Sequence, residues 1–254
     1  MIKKILNNFL FKFSYKISKI NNETPLFFQD KFYEFETLFE KCSSQSLNIS
    51  KERYLALYHA INYIFINDVE GDFVECGVYK GGSSMMMASL IKKISSSKKL
   101  WMYDTFQGMT PPDENDVDLK GVSAKEFLKK KEKIENDDDI WAYSSLEYVK
   151  KNIKKTGIND NQCEYVIGPV EHTLKIEKPN KIALLRLDTD FYSSTKFELD
   201  YLYSLLSKNG IIIIDDYGHW KGCKKAVDEF FKSKKNFFFS KIDYSGIVGI
   251  KLEN

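Results

Sequence analysis

No apolar run in this 254-residue chain approaches the roughly 18 residues that cross a bilayer, so a membrane-spanning helix is not expected. Cysteine is scarce. Cys42, Cys76, Cys163 and Cys223 are widely scattered and form no C-x-x-C pair, as expected of free thiols in the reducing cytoplasm. Neither sign of charge dominates: 38 Lys and Arg against 36 Asp and Glu leave a net +2. A general nucleic-acid binder would show a strongly basic face, so the expected partner is a small molecule. A signal peptide is not expected, because lysine interrupts every apolar stretch near the amino end and no A-x-A site follows. Two phosphate-binding signatures are missing. Gly77, Gly81 and Gly82 are spaced wrongly for G-x-G-x-x-G, which disfavours a nicotinamide oxidoreductase, and Lys80 is not followed by Ser or Thr, so there is no P-loop. No internal repeat is evident.

The length suits one α/β domain with an extension. Residues 1–20 carry Lys3, Lys4, Lys12, Lys16 and Lys19 and no acid, with Ile2, Leu6, Phe9, Phe13, Ile17 and Ile20 at helical spacing. This basic amphipathic helix either lies on an anionic membrane surface or packs on its own domain or a second copy of the chain, and a homo-oligomer is expected. The Ser-rich stretch Cys42-Ser43-Ser44-Gln45-Ser46 reads as a hinge. The expected division is a helical extension over 1–49 and a main domain over 50–254.

The strongest signal is a pair of apolar runs that end in acids: Ile182-Ala183-Leu184-Leu185-Arg186-Leu187-Asp188-Thr189-Asp190 and Ile211-Ile212-Ile213-Ile214-Asp215-Asp216. Such runs read as buried parallel strands, whose carboxyl ends are where open α/β sheets bind ligands. Two carboxylates about 4 Å apart repel by roughly 4 kcal/mol at an effective dielectric near 20, so several converge only if protons or a cation compensate them. With no His or Cys inside the runs, a hard ion such as Mg²⁺ is favoured over zinc. The alternative is that these acids cap helices or solvate a loop.

Around these runs, Ser50 caps a helix carrying Leu55, Tyr58, Ile61, Ile64 and Phe65. Residues 72–77, 100–104 and 164–168 read as three further strands, with helices over 83–94 and at about 146–156, 194–207 and 222–233. Alternation of this kind specifies a parallel, doubly wound sheet. Residues 236–243 and 246–252 read as an antiparallel hairpin at its edge. A mostly parallel, Rossmann-like seven-stranded sheet with such a hairpin is what class I methyltransferases show. A charged insertion at about 110–142 is expected to be a lid that orders on ligand binding. The runs Met85-Met86-Met87 and Phe237-Phe238-Phe239 read as core.

The strand-to-helix turn from Glu75 to Ser84 presents free backbone N–H groups. Asp104, 27 residues after Gly77, sits where an acid accepts hydrogen bonds from both hydroxyls of a ribose. Together they suggest an adenosine-type ligand.

Four segments then carry a specific resemblance: Phe73-Val74-Glu75-Cys76-Gly77-Val78-Tyr79-Lys80-Gly81-Gly82-Ser83, Tyr103-Asp104-Thr105-Phe106-Gln107-Gly108-Met109, Leu185-Arg186-Leu187-Asp188-Thr189-Asp190-Phe191-Tyr192-Ser193-Ser194-Thr195 and Ile213-Ile214-Asp215-Asp216-Tyr217-Gly218. In this order they resemble the macrocin O-methyltransferase (TylF/MycF-type) family, from about Gly71 to the end. The resemblance implies Mg²⁺-dependent transfer of a methyl group from S-adenosylmethionine to a hydroxyl of a sugar or glycoside. By position it implies Glu75, Gly77, Tyr79, Ser83, Asp104, Gly168 and Asp188 at the cofactor, and Asp188, Asp215 and Asp216 as metal ligands.

Methyl transfer from a sulfonium needs an aligned oxygen nucleophile, and orientation alone is worth about 7–11 kcal/mol. Asp190, Glu147 and His219 are the candidates for the base. His219, three residues past the acidic pair, either overhangs the site or is a loop histidine against Trp220. His59 and His172 are assigned no role. The rival readings are a metal-independent methyltransferase of the same fold and a non-catalytic S-adenosylmethionine-binding scaffold.

Overall fold

A computed structural model describes residues 26–129 and 141–253, with side chains from residue 33 onward. The basic segment 1–20 and the middle of the charged insertion lie outside the described residues. The chain forms two compact units, Met1–Thr37 and Leu38–Asn254. Helix α1 comprises Leu26–Ser43, and the unit Leu38–Asn254 holds everything below.

Helix α2 (Lys51–Ile66) begins where Ser50 predicts, its hydroxyl accepting from the Arg53 N–H at 3.1 Å. The sheet alternates with helices as the apolar periodicity requires: β1 (Asp72–Cys76), α3 (Gly82–Lys93), β2 (Leu100–Asp104), α4 (Ala124–Leu128), α5 (Leu146–Lys154), β3 (Cys163–Ile167), α6 (Val170–Thr173), β4 (Ile182–Leu187), α7 (Tyr192–Leu202), β5 (Leu206–Ile214), α8 (Lys221–Phe231), β6 (Phe237–Lys241) and β7 (Ile247–Lys251). The strand order is β3-β2-β1-β4-β5-β7-β6, parallel through β5. The closing pair is antiparallel, with β7 inserted against β5 and β6 at the edge.

Alternation along the strands assigns two faces. Val74, Cys76, Leu185, Leu187, Ile212 and Ile214 pack into one cluster with Leu199 of α7 and Cys223 and Val227 of α8. Glu75 and Arg186 point to the other face, where α2 and α3 lie. Met85, Met86 and Met87 are buried as expected, whereas Phe238 is exposed on the edge strand.

Register does the decisive positioning. Cys76 pairs with Leu187 and Leu187 with Ile214, so the residues that follow leave three adjacent strands side by side. Backbone hydrogen bonds from Asp188 N to Cys76 O (2.8 Å) and from Asp215 N to Leu187 O (2.9 Å) extend the pairing into the loops. The crossovers diverge between β1 and β4, the point where doubly wound sheets open a ligand crevice.

Two boundaries differ from expectation. The polar stretch Ser207-Lys208-Asn209-Gly210 does not read as strand, and it has no partner in the ladder: β5 starts at Leu206, paired with Ile182, and the pairing resumes at Ile211 with Leu184 after a register shift that leaves the four residues between them as a bulge; α7 ends at Leu202. The first part of the insertion is an ordered strap. Asp116 accepts from the Tyr192 N–H (2.8 Å) and the Asp113 N–H (2.7 Å), Lys221 N donates to Val117 O (2.8 Å), and Asp118 bridges to Trp220. Among the described residues no helix is long and apolar enough to cross a membrane.

Candidate active site

A cleft of about 610 Å³ opens at the carboxyl ends of β1, β2, β4 and β5. One wall is the glycine turn. Gly77 has φ +83°, and a Cβ there would lie 1.9 Å from the Asp188 carbonyl oxygen, so only glycine lets the turn lie against the acidic loop. Asp104 organises this wall from below: its carboxylate accepts from the backbone N–H groups of Val78 (2.7 Å), Tyr79 (3.1 Å) and Phe106 (2.7 Å). Burial raises its pKa, and those N–H groups pull it back. Tyr79, Ser83, Asp104 and Gly168 all line the cleft, as the sequence suggests.

Glu75 does not line it. Its carboxylate is buried beneath the turn, bonded to the Ser84 hydroxyl and, at 2.7 Å, to Nη1 of Arg186. The register that sets Glu75 opposite Arg186 gives it an internal partner, so it reaches the cleft only through the arginine.

The opposite end of the cleft is acidic. Asp188, Asp215 and Asp216 each offer a carboxylate oxygen, all within 4.8 Å of one another. Two buried guanidiniums already share this space. Arg186 donates through Nη1 to Asp188 (2.8 Å) and through Nη2 to Asp215 (2.7 Å). Arg53, from the first turn of α2, donates to the other Asp215 oxygen, to Asp243 from Nε (2.9 Å) and to the Asn48 carbonyl from Nη2 (2.5 Å). Part of the compensating positive charge expected of these acids therefore comes from arginines rather than from a metal ion. Even so, Glu75, Asp188, Asp190, Asp215, Asp216 and Asp243 outnumber the two arginines. Asp216 is buried to 8% exposure, and its Oδ2 has no hydrogen-bond partner. Such an atom is costly unless a proton or cation meets it.

The titration shifts express the same surplus. Burial pushes Asp188 up to about 6, opposed by Arg186, and Asp190 up to about 7, reinforced by Asp188. Asp216 is driven well above the usual carboxylate range by burial and by Asp190. A divalent ion at this position would reverse that penalty. The donor set, all carboxylate, suits a hard cation.

Asp190 takes a left-handed turn (φ 66°) and accepts from the Trp220 indole N–H at 2.8 Å. His219 also lines the cleft, edge-on to Trp220 and Tyr244. Its Nδ1 is buried without a partner, and burial lowers its pKa, so the ring is neutral near pH 7. Glu147 is not brought to the site: its side chain is 85% exposed on α5, near Lys150. His172 lies on α6 outside the lining.

Sequence reading missed four residues that build this region. Arg53, Arg186 and Asp243 are joined by pairings across as many as 190 positions. Glu198, fully buried on α7, holds the Thr189 hydroxyl at 2.9 Å beneath the Asp188–Asp190 loop, and burial pushes its pKa up to about 8. A charged residue in the first turn of an apolar helix, or inside a buried strand, was the available signal.

A sheet of this order, with a glycine turn after β1 and acids after β4 and β5, defines the class I methyltransferase fold. The solved structure of the O-methyltransferase NovP superposes with a TM-score of 0.69 over 81% of each chain at 27% identity. The calicheamicin methyltransferase CalS11, at 15% identity, TM-score 0.58 and coverage of 92% of this chain and 99% of that one, shares the fold. The family model described as macrocin-O-methyltransferase (TylF) matches residues 41–248, and the chain belongs to that family. Curated relatives include demethyldecarbamoylnovobiocin O-methyltransferase of Streptomyces niveus (32% identical over 65% of this chain) and a tetracenomycin rhamnosyl 4'-O-methyltransferase of Streptomyces olivaceus (30% over 68%). The chain spans 59% and 63% of the lengths of these two relatives.

Proposed function

We propose that this protein transfers a methyl group from S-adenosylmethionine to a hydroxyl of a sugar or sugar-bearing small molecule, and that it uses Mg²⁺ to do so. The observation that carries the reading is the juxtaposition of the glycine turn with three converging aspartate oxygens in one cleft, including the unpartnered Asp216 Oδ2. The names of the related enzymes, all O-methyltransferases and one acting on a rhamnosyl group, support the acceptor class.

In this reading the cofactor lies along the turn from Gly77 to Ser83, whose Gly77, Val78, Tyr79, Gly81 and Gly82 N–H groups are spent holding the turn in shape rather than free as the sequence suggests, and Asp104 shapes that turn and faces the ribose. Asp188, Asp215 and Asp216 hold the cation. When bound, the cation lowers the pKa of the acceptor hydroxyl and the sulfonium supplies an electrophilic methyl group. The chain's own residues then align the oxygen, close the cleft with the strap and take up the proton. His219 is assigned the proton: it lines the cleft beside the acidic pair, and burial keeps its ring neutral near pH 7. Asp190, fixed by Trp220, orients the acceptor. Residues 50–254 form the catalytic domain in this account, with the 46–49 loop completing its cleft; the extension before that loop is available for a second subunit or a membrane surface, and the setting is the cytoplasm.

One observation favours a second reading. Arg53 and Arg186 put two positive charges into the acidic end, so the acids could orient an acceptor with no metal. Incubation with methyl-labelled S-adenosylmethionine and a panel of glycosides and nucleotide sugars, read by mass spectrometry, tests the activity. Label in a sugar hydroxyl supports it. Cofactor binding with no transfer to any acceptor supports a non-catalytic scaffold instead.

A further inference from the structure

The guanidinium of Arg53 is held on three sides, by Asp215, Asp243 and the Asn48 carbonyl, and it is buried. It comes from α2, outside the four segments that define the family resemblance, and it enters the acidic end beside the three converging oxygens. Asp215 does not need Arg53 for its orientation: Arg186 Nη2 holds its other oxygen at 2.7 Å, and the Ser245 hydroxyl fixes its backbone carbonyl at 2.7 Å. Asp243 is likewise over-determined, accepting also from the Ser50 hydroxyl (2.7 Å), Ser245 N (2.8 Å) and Gly246 N (2.7 Å). Arg53 thus adds charge to an arrangement that the other contacts already fix.

We infer that Arg53 is a resident counter-charge that competes with the divalent cation for the Asp188–Asp215–Asp216 site and sets its affinity low enough for exchange. It rests on the proposed metal role of these aspartates. A fixed positive charge in contact with one ligand raises the free energy of a divalent ion there by Coulomb repulsion and occupies a lone pair of Asp215. While the ion is absent, the same charge offsets part of the mutual repulsion of carboxylates that other contacts hold in place. A latch from α2 also couples ion binding to the 44–50 loop, which lines the cleft through Ser46, Leu47, Asn48 and Ile49.

The test is calorimetric titration of MgCl₂, and separately MnCl₂, into chelator-stripped full-length protein without substrates. Arg53→Met, which keeps length and removes charge, is expected to bind Mg²⁺ about tenfold more tightly than wild type, while Arg53→Lys stays within about threefold of wild type. Equal or weaker binding by a folded Arg53→Met overturns the inference and leaves the proposed function standing. Silence from wild type with binding by Arg53→Met supports the inference and removes the Mg²⁺ requirement from the proposed function; silence from both overturns both. If Arg53→Met does not fold, Asp243→Asn carries the test: it frees Arg53 to lean on Asp215, so Mg²⁺ affinity is expected to fall severalfold, and unchanged affinity contradicts the inference.

Discussion

Arg186→Met removes the guanidinium that joins the cofactor turn to the acidic loops. In the native protein Arg186 donates to Glu75 (2.7 Å), Asp188 (2.8 Å) and Asp215 (2.7 Å), and it is buried within β4. Breaking a buried ionic network from one side strands its partners and costs about 3–5 kcal/mol. For a domain of this size each kcal/mol lowers Tm by about 2–4 °C, so the variant should melt roughly 6–20 °C below wild type by circular dichroism. The sign with pH follows from the partners. Glu75 and Asp188 already titrate near 7 and 6 in the folded state, above their ordinary values of 4.5 and 3.8. Without Arg186 they hold protons more firmly, while the unfolded chain releases them. The variant is therefore most destabilised at pH 8 and recovers part of the loss as pH falls toward 5.5. Millimolar Mg²⁺ should restore part of the loss at pH 8 by supplying the missing charge. A variant that melts within 2 °C of wild type across this range refutes the view that Arg186 compensates these acids.

Glu198→Gln keeps the contact to Thr189 and removes a proton site. Glu198 titrates near 8 when folded, against an ordinary 4.5. Its contribution is fully present below pH 4.5 and is lost as pH rises through 8, so wild-type stability should fall between pH 6 and 9 more steeply than that of the variant. Parallel melting curves would contradict the buried neutral acid. Asp116→Ala releases the strap from the amino end of α7 and leaves it held only by the backbone contacts of Val117 and Asp118 to Lys221 and Trp220. The acceptor KM should rise several-fold while the affinity for S-adenosylhomocysteine, measured calorimetrically, stays unchanged; loss of both would show that the strap supports the whole fold.

Much of this molecule was legible in its sequence because its signals are local. The apolar runs 182–187 and 211–214 read as buried strands, a glycine turn after β1 marks the ligand crevice, and Ser50 caps its helix three residues before Arg53. The register that brings Asp188 beside Asp215 follows once those strands are parallel neighbours. What could not be read is long-range or context-made. Arg53 looks like any polar residue at a helix start until the hairpin turn brings Asp243 to it. Glu75 looks like a cofactor ligand until its strand neighbour proves to be Arg186. The strap, rich in Asp and Pro, has the composition of a mobile loop, yet Asp116 is buried because two backbone N–H groups receive it, that of Asp113 and that of Tyr192 at the start of α7. Glu147 has the residue type of a base, but helix phase turns it to solvent.

The central claim is that three aspartates hold a divalent ion that makes a sugar hydroxyl reactive beside the cofactor. It is tested most directly by the initial rate of methyl transfer to a responsive glycoside against free Mg²⁺, with chelator setting the lower limit, for wild type and Asp215→Asn. The account predicts a wild-type rate that falls to background in chelator and returns on adding Mg²⁺, and an Asp215→Asn rate at least 100-fold lower at every concentration, a loss in the range set by removing one electrostatic contact to the reacting oxygen. A wild-type rate indifferent to chelator would contradict it.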